Sequence, residues 1–213
     1  MKTLFVGIKS CGKGTQAKLL SKKLNIPHIS SGDIFRGIDT SSPLGKKIRS
    51  YIDNGNYVPD DLVIELVSKE LSKDKYKNGF ILDGFPRTIA QAKAFNKKHK
   101  FNHIIYIKIS KKEGVHRASG RWTCSNKKCG AIYNVNTSPK PKVVGICDKC
   151  GAKLYQRKDE TKEATTKRIN KDIKELNPML ELYKNQNIAI EINGEKSIEE
   201  VHKEILDKLK INK

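Results

Sequence analysis

The run Gly7-Ile8-Lys9-Ser10-Cys11-Gly12-Lys13-Gly14-Thr15 constrains this chain more than any other stretch, because it follows G-x-x-x-x-G-K with a hydroxyl side chain close behind. A short apolar run, Thr3-Leu4-Phe5-Val6, precedes it, and from Lys13 to Leu24 the residues Ala17, Leu20 and Leu24 recur at helical spacing. Strand, glycine-rich turn and helix in that order read as a phosphate-binding loop. The glycines let backbone N–H groups crowd a polyphosphate, Lys13 reaches the outer phosphates, and the helix N-terminus adds a favourable dipole. An ordinary glycine turn is the plainer alternative, and the two flanks argue against it.

The rest of the chain alternates in the same way. Apolar, β-branched runs recur at Pro27-His28-Ile29, Phe80-Ile81-Leu82, Ile104 to Ile109 and Ile188 to Ile192, too short for most helices. Amphipathic stretches lie between them: Asp60 to Lys73, Thr88 to Lys98, Glu160 to Tyr183 and Ser197 to Leu209. This alternation predicts an α/β fold with a parallel sheet covered on both faces, and ligands bind at the carboxyl ends of such strands. Gly7 and Asp83 both fall there. Two segments break the rhythm and read as insertions: the turn-rich Ser30 to Pro59, and the cysteine-bearing Arg121 to Arg157.

At 213 residues the chain can bury one core with inserted subdomains. No apolar stretch approaches the ~20 residues of a bilayer span, so a soluble, cytoplasmic protein without a membrane partner is expected. The formal net charge of +20 invites a polyanion, but the lysines scatter along the chain as on a solvated surface, and no specific nucleic-acid partner is expected. Arginine is the more telling cation. Only seven of the 43 basic residues are Arg, at positions 36, 49, 87, 117, 121, 157 and 168. Its planar fork grips phosphate at two points where Lys offers a mobile point charge.

Cys124-x4-Cys129 and Cys147-x2-Cys150 pair two knuckles across seventeen residues, and a glycine, Gly130 or Gly151, follows the second cysteine of each. Four thiolates so spaced suit a tetrahedral, structural Zn2+. Disulfides are the alternative, disfavoured in a reducing compartment. The fifth cysteine, Cys11, reads as a small residue that fits the phosphate loop.

The phosphate loop, Ser31-Gly32-Asp33-Ile34-Phe35-Arg36, Leu82-Asp83-Gly84-Phe85-Pro86-Arg87 and the cysteine-bearing insertion together resemble the long-form adenylate kinases with a zinc lid, over nearly the whole chain. The resemblance implies a P-loop NTPase-type parallel five-stranded sheet flanked by helices. Residues 1–29, 60–120 and 159–213 would form the core, 30–59 a helical insertion that binds the nucleoside monophosphate, and 121–158 a zinc-ribbon-like lid. The implied activity is reversible, Mg2+-dependent, in-line transfer of the terminal phosphoryl group from ATP to AMP, giving two ADP, by a monomer.

By the same resemblance ATP lies on Gly7, Ser10, Cys11, Gly12, Lys13, Gly14 and Thr15, with Arg117, Arg121 and Tyr133 beyond them. AMP lies on Ser31, Arg36, Tyr57, Val58, Gly84, Arg87, Gln91, Arg157 and Arg168, with Gln91 on the adenine. Lys13, Arg87, Arg121, Arg157 and Arg168 would be catalytic. Phosphoryl transfer itself calls for little else, since alignment and fixed positive charge supply most of the catalysis and no general-base His is needed. Asp83 suits a carboxylate that holds Mg2+ through its waters, and Asp33 and Asp159 suit the orienting of arginines or closing of the lid, the plainer alternative for each aspartate being a helix cap or turn. His116 is read as structural or surface.

Three departures stand out. Ile8, Lys9 and Ser10 occupy the stretch where the family usually carries Gly-x-Pro-Gly-x-Gly, so Ser10 has to adopt the backbone angle of a glycine. Asp159-Glu160 stands for the familiar paired aspartates, and Asn134 for a common histidine. A pyrimidine monophosphate kinase would carry Asn in place of Gln91 and lack the cysteines. A zinc-ribbon nucleic-acid binder would leave Asp83 to Arg87 unexplained.

Overall fold

The computed structural model describes residues 1–184 and 186–211. In chain order the elements are β1 (Lys2–Val6), α1 (Lys13–Leu24), β2 (His28–Ser30), α2 (Ser31–Gly37), α3 (Pro43–Ile52), α4 (Asp60–Leu71), β3 (Phe80–Asp83), α5 (Ile89–Asn96), β4 (His103–Lys108), α6 (Lys111–Ser119), β5 (Arg121–Cys124), β6 (Ile132–Asn134), β7 (Leu154–Tyr155), α7 (Lys162–Lys184), β8 (Ala189–Asn193) and α8 (Ile198–Lys208).

Five strands form one parallel sheet in the order β2-β3-β1-β4-β8. Phe5 of β1 lies opposite Asp83 of β3 and Ile105 of β4, so the carboxyl ends of these strands come out together. All four residues of β3 and four of five in β1 are buried, as expected of a strand covered on both faces. Side-chain caps start the helices where the sequence offers them. Thr88 accepts from the Gln91 N–H, Ser110 from that of Glu113, and Ser197 from that of Glu200, whose carboxylate returns to the Ser197 N–H as a capping box.

The first insertion is more regular than its glycines indicate. It carries α2 and α3, the latter started by a Ser42 cap with Pro43 in the first turn. Helix α6, which the apolar spacing did not mark, follows β4 and leads into the second insertion.

There β5 pairs antiparallel with β6 and β7 in a separate three-stranded sheet. Cys124, Ala131, Tyr133, Cys147 and Leu154, with Trp122 against them, form a small core of its own. The large core lies around the parallel sheet, with Leu4, Leu82, Ile104 and Ile105 wholly buried at its centre. Among the described residues no helix is long and apolar enough to cross a membrane.

Candidate functional site

The loop after β1 rises between β3 and β4, the strands that flank β1. Gly7 has to be glycine: an added Cβ would strike the Ile107 carbonyl and sit 2.6 Å from Cys11 Sγ. Ile8 and Cys11 turn into the core, where burial pushes the Cys11 thiol up. Ser10 takes φ 66°, the left-handed angle expected of a residue in a glycine's place, and its hydroxyl is buried without a hydrogen-bond partner among the described residues. Lys13 opens α1 and donates from Nζ to the Ile8 carbonyl at 3.0 Å.

Lys9 does not point to solvent. Its N–H donates to Asp172 Oδ2 at 2.6 Å, and its Nζ donates to Asp159, to the backbone carbonyl and, at 2.5 Å, to Oδ2. Burial brings the Lys9 ammonium down to about 8, helped by Arg121 and Arg157 and opposed by Asp159.

Asp83 ends β3, 7 % exposed, with Oδ2 3.8 Å from His28 Nε2. An added Cβ on Gly14 would come within 3.2 Å of the same oxygen, so the carboxylate lies directly against the start of α1. Burial pushes its pKa up, but His28, Lys13 and Arg87 outweigh that and hold it below the usual range. The chain then turns through Gly84, whose carbonyl accepts from Ser31 Oγ at 2.6 Å and from Arg87 Nε at 2.7 Å.

Gln91 is 2 % exposed, so it does not sit on the open face of α5. Its Oε1 accepts from the Arg87 N–H at 2.8 Å and its Nε2 donates to Asp60 Oδ1 at 2.7 Å. One N–H and one lone pair of the amide remain for a ligand.

Four of the seven arginines fall into two groups, each built on buried carboxylate. Arg87 and Arg168 both face Asp172 Oδ1, at 3.6 and 3.0 Å, and Tyr57 donates its hydroxyl to the same oxygen at 2.7 Å while its ring lies 4.2 Å under the Arg168 guanidinium. Arg121 and Arg157 converge on the fully buried carboxylate of Glu160. Arg157 also reaches Asp159 Oδ1 at 3.3 Å, and one terminal nitrogen of Arg121 is buried with no partner among the described residues. Paired with Arg157 and Lys9, Asp159 titrates down at about 2 although burial acts the other way. An open cleft runs between Gly7, Lys13, Tyr57, Gly84, Arg87 and Asp172. Such a cleft, cationic and lined by a glycine-rich loop, is built for phosphate.

The remaining residues are placed unevenly. Arg36 stands apart on α2, 38 % exposed and paired with Asp33 at 2.5 Å. Arg117 is held by Glu113 one helical turn earlier at 2.6 Å. The Val58 side chain is in the large core, which leaves only its backbone for a ligand. Tyr133 is 4 % exposed inside the small core, with its hydroxyl 3.6 Å from Cys147 Sγ and accepting from the Asp148 N–H, so that, as at Val58, its backbone is what it offers a ligand. Asn134 organises the neighbouring loop, donating to the Arg117 carbonyl at 2.8 Å. The seventh arginine, Arg49, makes only a partly exposed pair with Asp53.

Asp172, Asp60 and Glu113 escaped the sequence reading. Asp172 and Glu113 carried a signal, each standing four residues from an arginine, Asp172 on an amphipathic stretch.

The four remaining cysteines gather with their sulfurs within 4.8 Å of one another. Cys124 and Cys150 are 3.5 Å apart, Cys129 and Cys147 3.8 Å. A Zn2+ bonded to four sulfurs at about 2.3 Å sets them about 3.8 Å apart, whereas a disulfide requires about 2.05 Å. Gly130 (φ 55°) and Gly151 (φ 70°) make the left-handed turns that bring the N–H groups back over each knuckle. The donor set fits zinc.

Residues 5–188 match the family model described as adenylate kinase. The adenylate kinase of Thermosipho africanus is 45% identical over 213 residues, covering 97% of this chain and 98% of its own. That of Clostridium tetani is 44% identical over 211 residues, 96% of each. An archaeal adenylate kinase, from Methanocella arvoryzae, is 44% identical over 207 residues, 94% of each.

Ser10 gives the site a testable cost. Left-handed backbone at a non-glycine residue costs about 1–2 kcal/mol, and a buried hydroxyl without a partner adds to it. Ser10→Gly is expected to raise the unfolding free energy of the nucleotide-free protein by about 1 kcal/mol, after allowing for the greater unfolded freedom of glycine. Urea denaturation measures it, and an unchanged or lower midpoint would contradict the strain.

Proposed function

The chain belongs to the adenylate kinase family, and from that membership we propose which of its residues carry the reaction. The protein transfers the terminal phosphoryl group of ATP to AMP, reversibly, giving two molecules of ADP. The observation that supports the assignment of roles is the cleft itself, lined by Gly7, Lys13, Tyr57, Gly84 and Arg87 over Asp172, with Arg168 on the same carboxylate and the Arg121–Arg157 pair tied to the loop through Asp159 and Lys9.

The loop from Gly7 to Thr15 holds the ATP phosphates on its backbone N–H groups, with Lys13 on the outer ones. The orphan nitrogen of Arg121 supports a further anionic oxygen there. Arg87 and Arg36 grip the phosphate of AMP, and Arg157 and Arg168 flank the group in transit. Asp172, now shared by Arg87, Arg168 and Tyr57, keeps both forks aimed into the cleft, and an arriving phosphate takes over the free faces of those guanidinium groups.

No proton needs to leave a carbon or a hydroxyl, so no His is required. The rate comes from in-line alignment and from positive charge fixed around the equatorial oxygens. Mg2+, arriving with ATP, neutralises phosphate charge, and the carboxylate of Asp83 beside Gly14 would hold it through its waters. Arg117 lies along the adenine of ATP, and Gln91 reads the adenine of AMP with its remaining N–H and lone pair, an arrangement steadied by Asp60 and the Arg87 backbone.

We propose the same division of the chain, with 30–59 closing over AMP and 121–158 closing over ATP, the latter held by one structural Zn2+ on Cys124, Cys129, Cys147 and Cys150. The Tyr133 side chain packs against Cys147, and its backbone remains for ATP. We read the protein as a monomer of the cytoplasm, where zinc thiolates stay reduced. The net charge of +20 speeds encounter with anionic nucleotides and gives weak, salt-sensitive attraction to nucleic acid.

Arg87→Lys keeps the charge and loses the fork. It is expected to lower kcat/KM for AMP by about 100-fold or more, about 3 kcal/mol, and near-normal turnover would remove Arg87 from the phosphate. With Gln91 intact AMP is expected to exceed CMP, UMP and GMP as acceptor, and Gln91→Ala to narrow that preference; comparing kcat/KM for the four monophosphates decides it. Metal analysis of the purified protein is expected to find one zinc per chain, and a strong chelator to lower the melting temperature. Much less than one zinc with no chelator effect would leave the cysteines without a metal.

A further inference from the structure

Lys9 sends its charged side chain out of the phosphate loop to the turn before α7. Its ammonium is 9 % exposed and donates to two oxygens of Asp159, a residue 150 positions away in the turn Lys158–Glu160 that joins β7 to α7. The Lys9 backbone is fastened at the same time, through its N–H, to Asp172 of α7. A buried lysine is expensive unless it is paired and hydrogen-bonded, and here the partner is one that the arginines also use. Asp159 presents Oδ2 to Lys9 and Oδ1 to Arg157. Arg157 continues to Glu160, and Glu160 to Arg121.

We propose that Lys9 is a positioning residue for phosphoryl transfer: by holding Asp159 it locks the Arg157–Glu160–Arg121 network at the base of the second insertion to the loop that carries the donor phosphates. The proposal rests on the assignment of Arg121 and Arg157 to the transferred group. Lys9 does not itself grip phosphate in this arrangement, because its ammonium is taken up by Asp159 and Lys13 reaches into the cleft. What it supplies is registration. A misplacement of about 1 Å at such a site can cost about 100-fold in rate, and the loop and the arginines come from segments that are otherwise separate in sequence.

The charges facing the Lys9 ammonium are Asp159 from the turn, Arg157 just before it and Arg121 from β5, while Asp172 of α7 holds its backbone. With burial they leave it titrating at about 8. A lysine so lowered is charged below that pH and neutral above it, so the lock weakens as pH rises through 8. An arginine in its place stays charged throughout.

Steady-state kinetics of the full-length protein with MgATP and AMP test this in wild type, Lys9→Met, Lys9→Arg and Arg157→Lys. Lys9→Met is expected to lower kcat about ten-fold or more while KM for ATP and AMP stays within about two-fold. Lys9→Arg is expected to restore most of kcat. In wild type kcat/KM for ATP, which reports the free enzyme, should decline above pH 8, and Lys9→Arg should abolish that decline.

A Lys9→Met enzyme with wild-type kcat, or equal losses in Lys9→Met and Lys9→Arg with both KM values raised, would overturn the proposal, the second outcome marking Lys9 as loop packing. Should Lys9→Met not fold, judged by circular dichroism, the pH profiles of wild type and Lys9→Arg decide alone: identical alkaline limbs overturn the proposal, and a limb lost in Lys9→Arg supports it. Arg157→Lys separates the two levels. If it turns over normally, the assignment of Arg157 to the phosphoryl group fails; if it is crippled while Lys9→Met is normal, only the role of Lys9 fails.

Discussion

Six cations, Lys9, Lys13, Arg87, Arg121, Arg157 and Arg168, gather at one edge of the parallel sheet, and their mutual repulsion is the problem the rest of the site is arranged to solve. Two like charges about 5 Å apart repel by about 3 kcal/mol at the effective dielectric of a protein surface. Four largely buried carboxylates, Asp83, Asp159, Glu160 and Asp172, stand among them. Each is shared by two or more cationic or hydrogen-bonding neighbours, so the cations are held apart and aimed. The remaining excess of positive charge faces the cleft. A phosphate chain entering there meets donors whose positions were fixed in advance by the folded chain, which is where catalysis by preorganised charge has its origin.

The sheet was legible because its signal is local. Thr3 to Val6, Phe80 to Leu82 and Ile104 to Ile109 are apolar and β-branched over a few residues, and hydrophobic periodicity with a capping Thr88 or Ser197 marks the helices between them. The helices α2 and α3 were hidden at residue level by Gly37, Gly45 and Pro43, since propensity counts these against a helix while tertiary packing and a Ser42 cap overrule it. Helix α6 is rich in Lys and short of apolar residues, so it offers no periodic stripe to read.

The site divides along the same line. Motif residues such as Lys13, Asp83 and Arg87 have fixed spacing and could be named. The pairings were less legible: Asp159 could be named as a carboxylate that orients arginines, but its partnership with Lys9, like that of Tyr57 with Asp172, is a property of the fold and leaves no mark in the order of residues. The burial of the Tyr133 side chain is equally a product of the fold, its phenol packing in the small core against Cys147.

The second insertion leaves the main body and returns to it at two neighbouring places, between Gly120 and Arg121 and between Tyr155 and Lys158. Val143 and Val144, 61 % and 91 % exposed, lie between those crossings in sequence. Mechanically this is a lever with its fulcrum at the two crossings. Any turn of the small sheet as a body carries its tip through a wide arc and its base through almost none. Arg121 and Arg157 are placed at the base. A turn about the two crossings would therefore displace these two guanidinium groups far less than it displaces the rest of the small sheet.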